Sequence, residues 1–172
     1  MKKFELTAEF VTNVFGKKLF RIKALVAFGN VEKGELGGFI EKEDNLSHDG
    51  EAWVYGDARV SGNALVSGDA RVYGDARVSD NALVYGNAWV SGNADYAVVT
   101  GFGRYFRTTT FFRCKDKILR VQCGCFYGDL AQFREIVKKT HGDSKYAKEY
   151  LAIADLMELH FSDEEEKQEA DE

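Results

Sequence analysis

Three histidines and three cysteines are the residues of this chain best suited to chemistry. A histidine works as a general base only within hydrogen-bond reach of the acceptor it deprotonates. His48 stands at the head of a regular repeat, in a slot expected to face inward. His141 precedes Gly142 at a predicted helix C-terminus, where positive charge suits the helix dipole. His160 ends the last predicted helix. A structural role is expected for each. Cys123 and Cys125 fall on one strand face, but Cys114 would pair across a predicted hairpin nearer Leu119. Buried free thiols, with no metal, are the expectation. Gly101-Phe102-Gly103 has no helix following in phase, so a dinucleotide loop is unsupported and no cofactor is expected. The chain carries no complete catalytic constellation.

The composition bounds the partners. The 172 residues carry a net charge of −5, with no proline and 17 glycines. The tail from Asp163 to Glu172 holds seven acids against one lysine, which leaves the body near neutral. A near-neutral body gives no broad basic footprint for duplex nucleic acid. No apolar run approaches the ~20 residues of a membrane span. The N-terminus lacks the apolar core of a secretory signal, and few cysteines suit a reducing compartment, so a cytoplasm is expected.

The elements that must position any site fall into regions. Residues 1–45 read as a β-rich N-terminal cap, with runs at Phe10–Phe15 and Lys18–Val26 turning at Gly16-Lys17. Residues 46–98 are the repeat. Valine recurs every six residues from Val54 to Val90, and alanine recurs in step from Ala58 to Ala94. Glycine and Asp or Asn stand between them. A period of six fits neither helix nor hairpin sheet. It fits short strands joined by tight corners, a parallel β-helix. In the imperfect first unit His48 takes the valine slot; at the other end Tyr96 does. Residues 99–161 read as a cap of one hairpin and two helices. Asp129 with Gln132 forms a capping box for the first helix, and Ser144 caps the second. Residues 162–172 are expected to be disordered.

The Val-x-Gly-Asp/Asn-Ala unit resembles the hexapeptide repeat of left-handed parallel β-helix proteins. The resemblance implies that Val54 and Ala58, and their repeats, point inward, and that about three coils of 18 residues stack. It is specific over the seven units and covers about a third of the chain. Asp80 replaces one glycine, a mild departure because aspartate tolerates left-handed backbone. Stacked so, the outward residues form three faces. The first aligns Trp53, Arg71 and Trp89 beside Tyr55 and Tyr73, an arrangement suited to cation–π stacking. The second places Arg59 over Arg77 over Asp95, a solvated or intersubunit ion-pair face with anion binding as its alternative. The third stacks Leu65 over Leu83 beside Tyr85 and is expected to pack on another subunit or an appended segment.

Many members of the resembled family are acyltransferases using acyl-coenzyme A, which implies a catalytic histidine near a subunit interface or on an extruded loop. The central units contain neither; His48 is the one residue that could serve. A zinc site of three convergent histidines, another branch of that family, has no support in the repeat. The flanks, including Gly34–Glu41 and Cys123-Gly124-Cys125-Phe126, look like uncharacterised bacterial and phage hexapeptide-repeat proteins, which implies mobile-element origin. The expectation is a non-catalytic binding or scaffold protein, a homotrimer, with counter-defence as its role. Its partner is a host immune protein or a small nucleotide signal. The acyltransferase is the alternative.

Overall fold

The computed structural model describes residues 1–162. Hydrophobic periodicity of six is realised as two-residue strands: β4 (Trp53–Val54), β5 (Arg59–Val60), β6 (Leu65–Val66), β7 (Arg71–Val72), β8 (Arg77–Val78), β9 (Leu83–Val84) and β10 (Trp89–Val90). β4, β5, β6 and β7 each pair in parallel with the strand 18 residues on, Trp53 with Arg71, Arg59 with Arg77, Leu65 with Leu83 and Arg71 with Trp89. Every valine from Val54 to Val90 and every alanine from Ala58 to Ala88 is buried in one continuous core. The fold is mainly β, with parallel strands wound as a solenoid.

The corners explain the glycines. Gly68 has φ +68°, and a Cβ there would lie 2.9 Å from the Gly86 backbone nitrogen one turn along. Asp80 adopts φ 60° in the glycine slot at an exposed corner. Ala94 departs from the column. It lies exposed in a short 3-10 turn, Asn93–Asp95, where the repeat ends.

The winding begins earlier than expected. Phe39 and Ile40 of β3 (Leu36–Ile40) pair with Arg59 and Val60, so this part of the expected cap already belongs to the solenoid. Leu46 bridges Val66 in parallel and is buried. Leu46 therefore holds the inward slot expected for His48, and the chain between Leu46 and Gly50 bulges outward with two extra residues. Phase counted back from Val54 in steps of six lands on His48, because the repeat pattern carries no mark of the insertion.

Solenoid ends expose unpaired strand edges, which must be covered. At the start, β1 (Phe4–Thr12) and β2 (Lys18–Ala24) form an antiparallel hairpin that joins β3. Phe4, Ile22, Ala24 and Val31 plug the core. Side chains replace the missing strand bonds: Lys3 Nζ donates to Ala52 O at 2.8 Å, Asn45 Nδ2 to Ala64 O at 2.8 Å, and Gly62 N–H to Glu41 Oε2 at 2.6 Å. At the far end stands a four-stranded antiparallel sheet of β11 (Tyr96–Phe102), β12 (Arg107–Arg113), β13 (Leu119–Cys123) and β14 (Phe126–Asp129). The expected hairpin is its middle pair. Leu83 N–H donates to Thr110 Oγ1 at 3.0 Å, and Arg77 N–H to Asn93 Oδ1 at 2.9 Å. Phe112 and Cys114 close the solenoid core from one face of this sheet. The other face, with Phe111 and Val121, packs on helices α1 (Leu130–His141) and α2 (Lys145–His160). Both expected caps form: Asp129 and Gln132 bond reciprocally, and Ser144 accepts from Ala147 N–H. The acidic residues 163–172 lie outside the described residues.

Candidate functional site

Strands β4, β7 and β10 make one solenoid face. The pleat puts Trp53, Arg71 and Trp89 outside the valine column, as expected. The cap then divides that column. Trp53 has no exposed surface; Phe28 lies edge-on to it at 5.2 Å and Phe4 at 6.3 Å. Gly37 makes this packing possible, because a Cβ there would lie 2.8 Å from Trp53 Cζ2. Trp53 is therefore a core residue and not part of a binding surface. The Trp53 indole N–H has no hydrogen-bond partner among the described residues.

The remainder of the column stays accessible. Tyr55, Arg71, Tyr73 and Trp89 line an open trough of about 350 Å³. The Arg71 guanidinium sits 5.4 Å from the Trp89 ring centre, and Lys115 Nζ approaches the same ring at 5.7 Å. Tyr73 meets Trp89 edge-on at 6.4 Å. In place of the expected arginine sandwich between two tryptophans, one tryptophan is approached by two cations. Lys115 enters because its N–H bonds Asn87 O, beside the Ala88–Cys114 bridge. Periodicity within the repeat gave no sign of this residue. Burial raises the Tyr55 phenol above its usual range, so it remains a neutral hydroxyl.

On the second face Arg59 stacks over Arg77, with Phe39 continuing the column. Neither guanidinium has an ion-pair or hydrogen-bond partner among the described residues. Asp95 does not answer them. It accepts from Ser91 N–H at 2.8 Å and pairs with Arg113 at 3.5 Å. On the third face Leu65 and Leu83 are half-buried. Beside them Tyr85 meets Tyr127 edge-on at 5.2 Å and stays exposed.

His48 sits on the outward bulge, stacked on Phe4 at 4.2 Å. Its Nδ1 accepts the Lys3 N–H at 3.0 Å, which places the ring proton of the neutral form on Nε2, 2.7 Å from Glu43 Oε1. Both nitrogens are thereby occupied, and neither is free to take a proton from an acceptor. Among the described residues no group of three His, Cys, Asp or Glu converges as a metal site. Cys114 is buried, and that burial pushes its thiol up; Cys123 is half-buried and Cys125 exposed.

A second concavity lies in the C-terminal cap, away from the residues expected to bind. About 470 Å³ opens between the β11–β12 turn, the Cys123–Cys125 turn and α1. Arg104, Tyr105 and Arg107 stand at its mouth, and His141 and Tyr150 line one wall. These residues are spread from position 104 to 150. The packing of α1 and α2 against the sheet brings them together. His141 therefore lines a cavity besides ending a helix.

Comparison with known proteins bears on the repeat alone. No curated protein matches the chain. A family model described as the YdcK Beta solenoid repeat matches residues 52–68, 58–74, 70–86 and 76–92, so the centre of the chain is a β-solenoid repeat by sequence as well as by strand pairing.

Proposed function

We propose that this protein is a non-catalytic binding scaffold whose solenoid presents the Tyr55–Arg71–Tyr73–Trp89 trough to a partner protein. The observation that carries this reading is Trp89, half-exposed and flanked by Arg71 and Lys115 on a rigid parallel sheet. Tryptophan, tyrosine and arginine supply most of the binding energy at protein interfaces. The trough is open and shallow, which suits a protein surface better than the enclosure of a small molecule. We read the winding as left-handed, in three coils, on the hexapeptide resemblance and the 18-residue register that runs from Trp53 to Val90. We read the half-exposed Leu65–Leu83 face as the contact of a homotrimer, to be checked by the mass in solution. The counter-defence role, in a bacterial cytoplasm and from a mobile element, rests on the sequence resemblance. Its partner on this reading is a host immune protein.

The test is capture from bacterial lysate, then direct binding with the purified captured protein. Wild type should bind, and Arg71→Ala with Trp89→Ala should not, while both give the same circular dichroism. Equal binding by both proteins rules the trough out. A nucleotide would instead quench Trp89 emission directly, so titrating nucleotides against the same two proteins separates the two partners.

A further inference from the structure

We propose that the cavity in the C-terminal cap is a binding site for a small aromatic anion, its ring seated among Phe126, Phe133 and Val137 and its charge held by Arg104 and Arg107. This site lies on the cap, apart from the trough, and does not depend on the reading of the trough.

The volume of about 470 Å³ lies within the ~300–1,000 Å³ of small-molecule sites. The wall is a relay of rings. Phe126 and Phe133 lie 5.7 Å apart, Phe133 and Tyr150 5.8 Å, and Tyr150 and His141 5.9 Å in a stacked pose. Such rings favour a planar guest through edge and offset-stacked contacts. The mouth is cationic. Arg104 and Arg107 both lie over the Tyr105 ring, at 5.6 and 5.2 Å, which fixes the two guanidiniums on one support. Neither has an ion-pair partner among the described residues. The nearby carboxylate of Glu149 is engaged by the Gly103 N–H at 2.9 Å.

Two glycines keep the cavity in this shape. A Cβ at Gly124 would collide with the Arg107 guanidinium, and a Cβ at Gly103 with the Tyr150 hydroxyl. Both adopt left-handed backbone, φ +57° and +79°. Without side chains there, Arg107 lies across the Cys123–Cys125 turn and Tyr150 reaches the β11–β12 turn. The Tyr150 phenol is pushed up to about 12, chiefly by burial, so it stays a neutral donor at the wall.

The probe is anilinonaphthalene sulfonate, an aromatic anion that fluoresces when desolvated, titrated into the full-length protein. Neutral phenylnaphthylamine serves as its uncharged counterpart. Wild type should bind both saturably at one site. Arg104→Gln with Arg107→Gln should weaken the sulfonate about tenfold or more, the value of a charge-assisted contact, and leave the neutral probe unchanged. Ile136→Trp, at an exposed position beside the cavity, should abolish both. Trp89→Ala should change neither. Near-ultraviolet circular dichroism confirms native packing in every variant. No saturable binding by wild type, or sulfonate affinity unchanged in the double arginine variant, overturns the proposal. So does Ile136→Trp binding as wild type does.

Discussion

Raising the pH from about 8 to 10 should stabilise this protein relative to a variant that lacks the Lys3 amine. The Lys3 side chain is buried, with the residue 3% exposed, and its ammonium donates to Ala52 O at 2.8 Å and Gly50 O at 3.3 Å. Burial lowers its pKa from 10.5 to about 8, against the pull of Asp49, Asp69 and Glu51. Below pH 8 both the folded and the unfolded chain hold the proton, and the fold bears the cost of burying the charge. Between about 8 and 10.5 the folded chain has released a proton that the unfolded chain still holds, so stability rises with pH. The gap corresponds to on the order of 3 kcal/mol at full extent. The neutral amine still donates, so the edge carbonyls stay satisfied. Lys3→Met removes both the titration and the donors. The assay is urea unfolding at a series of pH values, read by circular dichroism, for wild type and Lys3→Met. Wild type should gain on the variant steadily above pH 8. Parallel curves across that range would refute the reasoning, because another group would then own the slope.

Two further perturbations separate packing from backbone. Gly68→Ala should cost well over the ~1–2 kcal/mol of an L-residue in left-handed backbone, since its Cβ meets the next turn at 2.9 Å. Gly56→Ala, with φ +57° and nothing within 4 Å, should cost only that backbone penalty; equal losses in denaturant unfolding would remove the stacking argument. Trp53→Ala should destabilise by about 3–5 kcal/mol, the cost of emptying a large buried site, while partner capture by the folded fraction persists. Loss of capture without loss of stability would return Trp53 to the surface.

Much of the fold was legible because the repeat couples local and global order. A valine every six residues can face one core only if strands stack at a fixed spacing, and Val54, Val72 and Val90 do so. The helix caps were legible for the same reason, since Asp129, Gln132 and Ser144 act within a turn of themselves. What was hidden depends on contacts distant in sequence. Leu46 displaces His48 because Leu46 bridges Val66, while the bulged His48 packs on Phe4. Trp53 and Trp89 occupy identical slots in the repeat, yet Phe4 of β1 and Phe28, in the segment between β2 and β3, bury only the first. Lys115 and the cap cavity come from a sheet and helices that lack any repeat. Of the proposed face, Tyr55, Arg71, Tyr73 and Trp89 were visible as a column, and Lys115 was not.

The central claim is that the trough on the β4–β7–β10 face binds a partner. It is tested most directly by the affinity of the purified captured protein for Trp89→Ala beside wild type. The account predicts a loss of about 2 kcal/mol or more, as at an interface hot spot, with native circular dichroism retained. An unchanged affinity in a folded Trp89→Ala variant would contradict it.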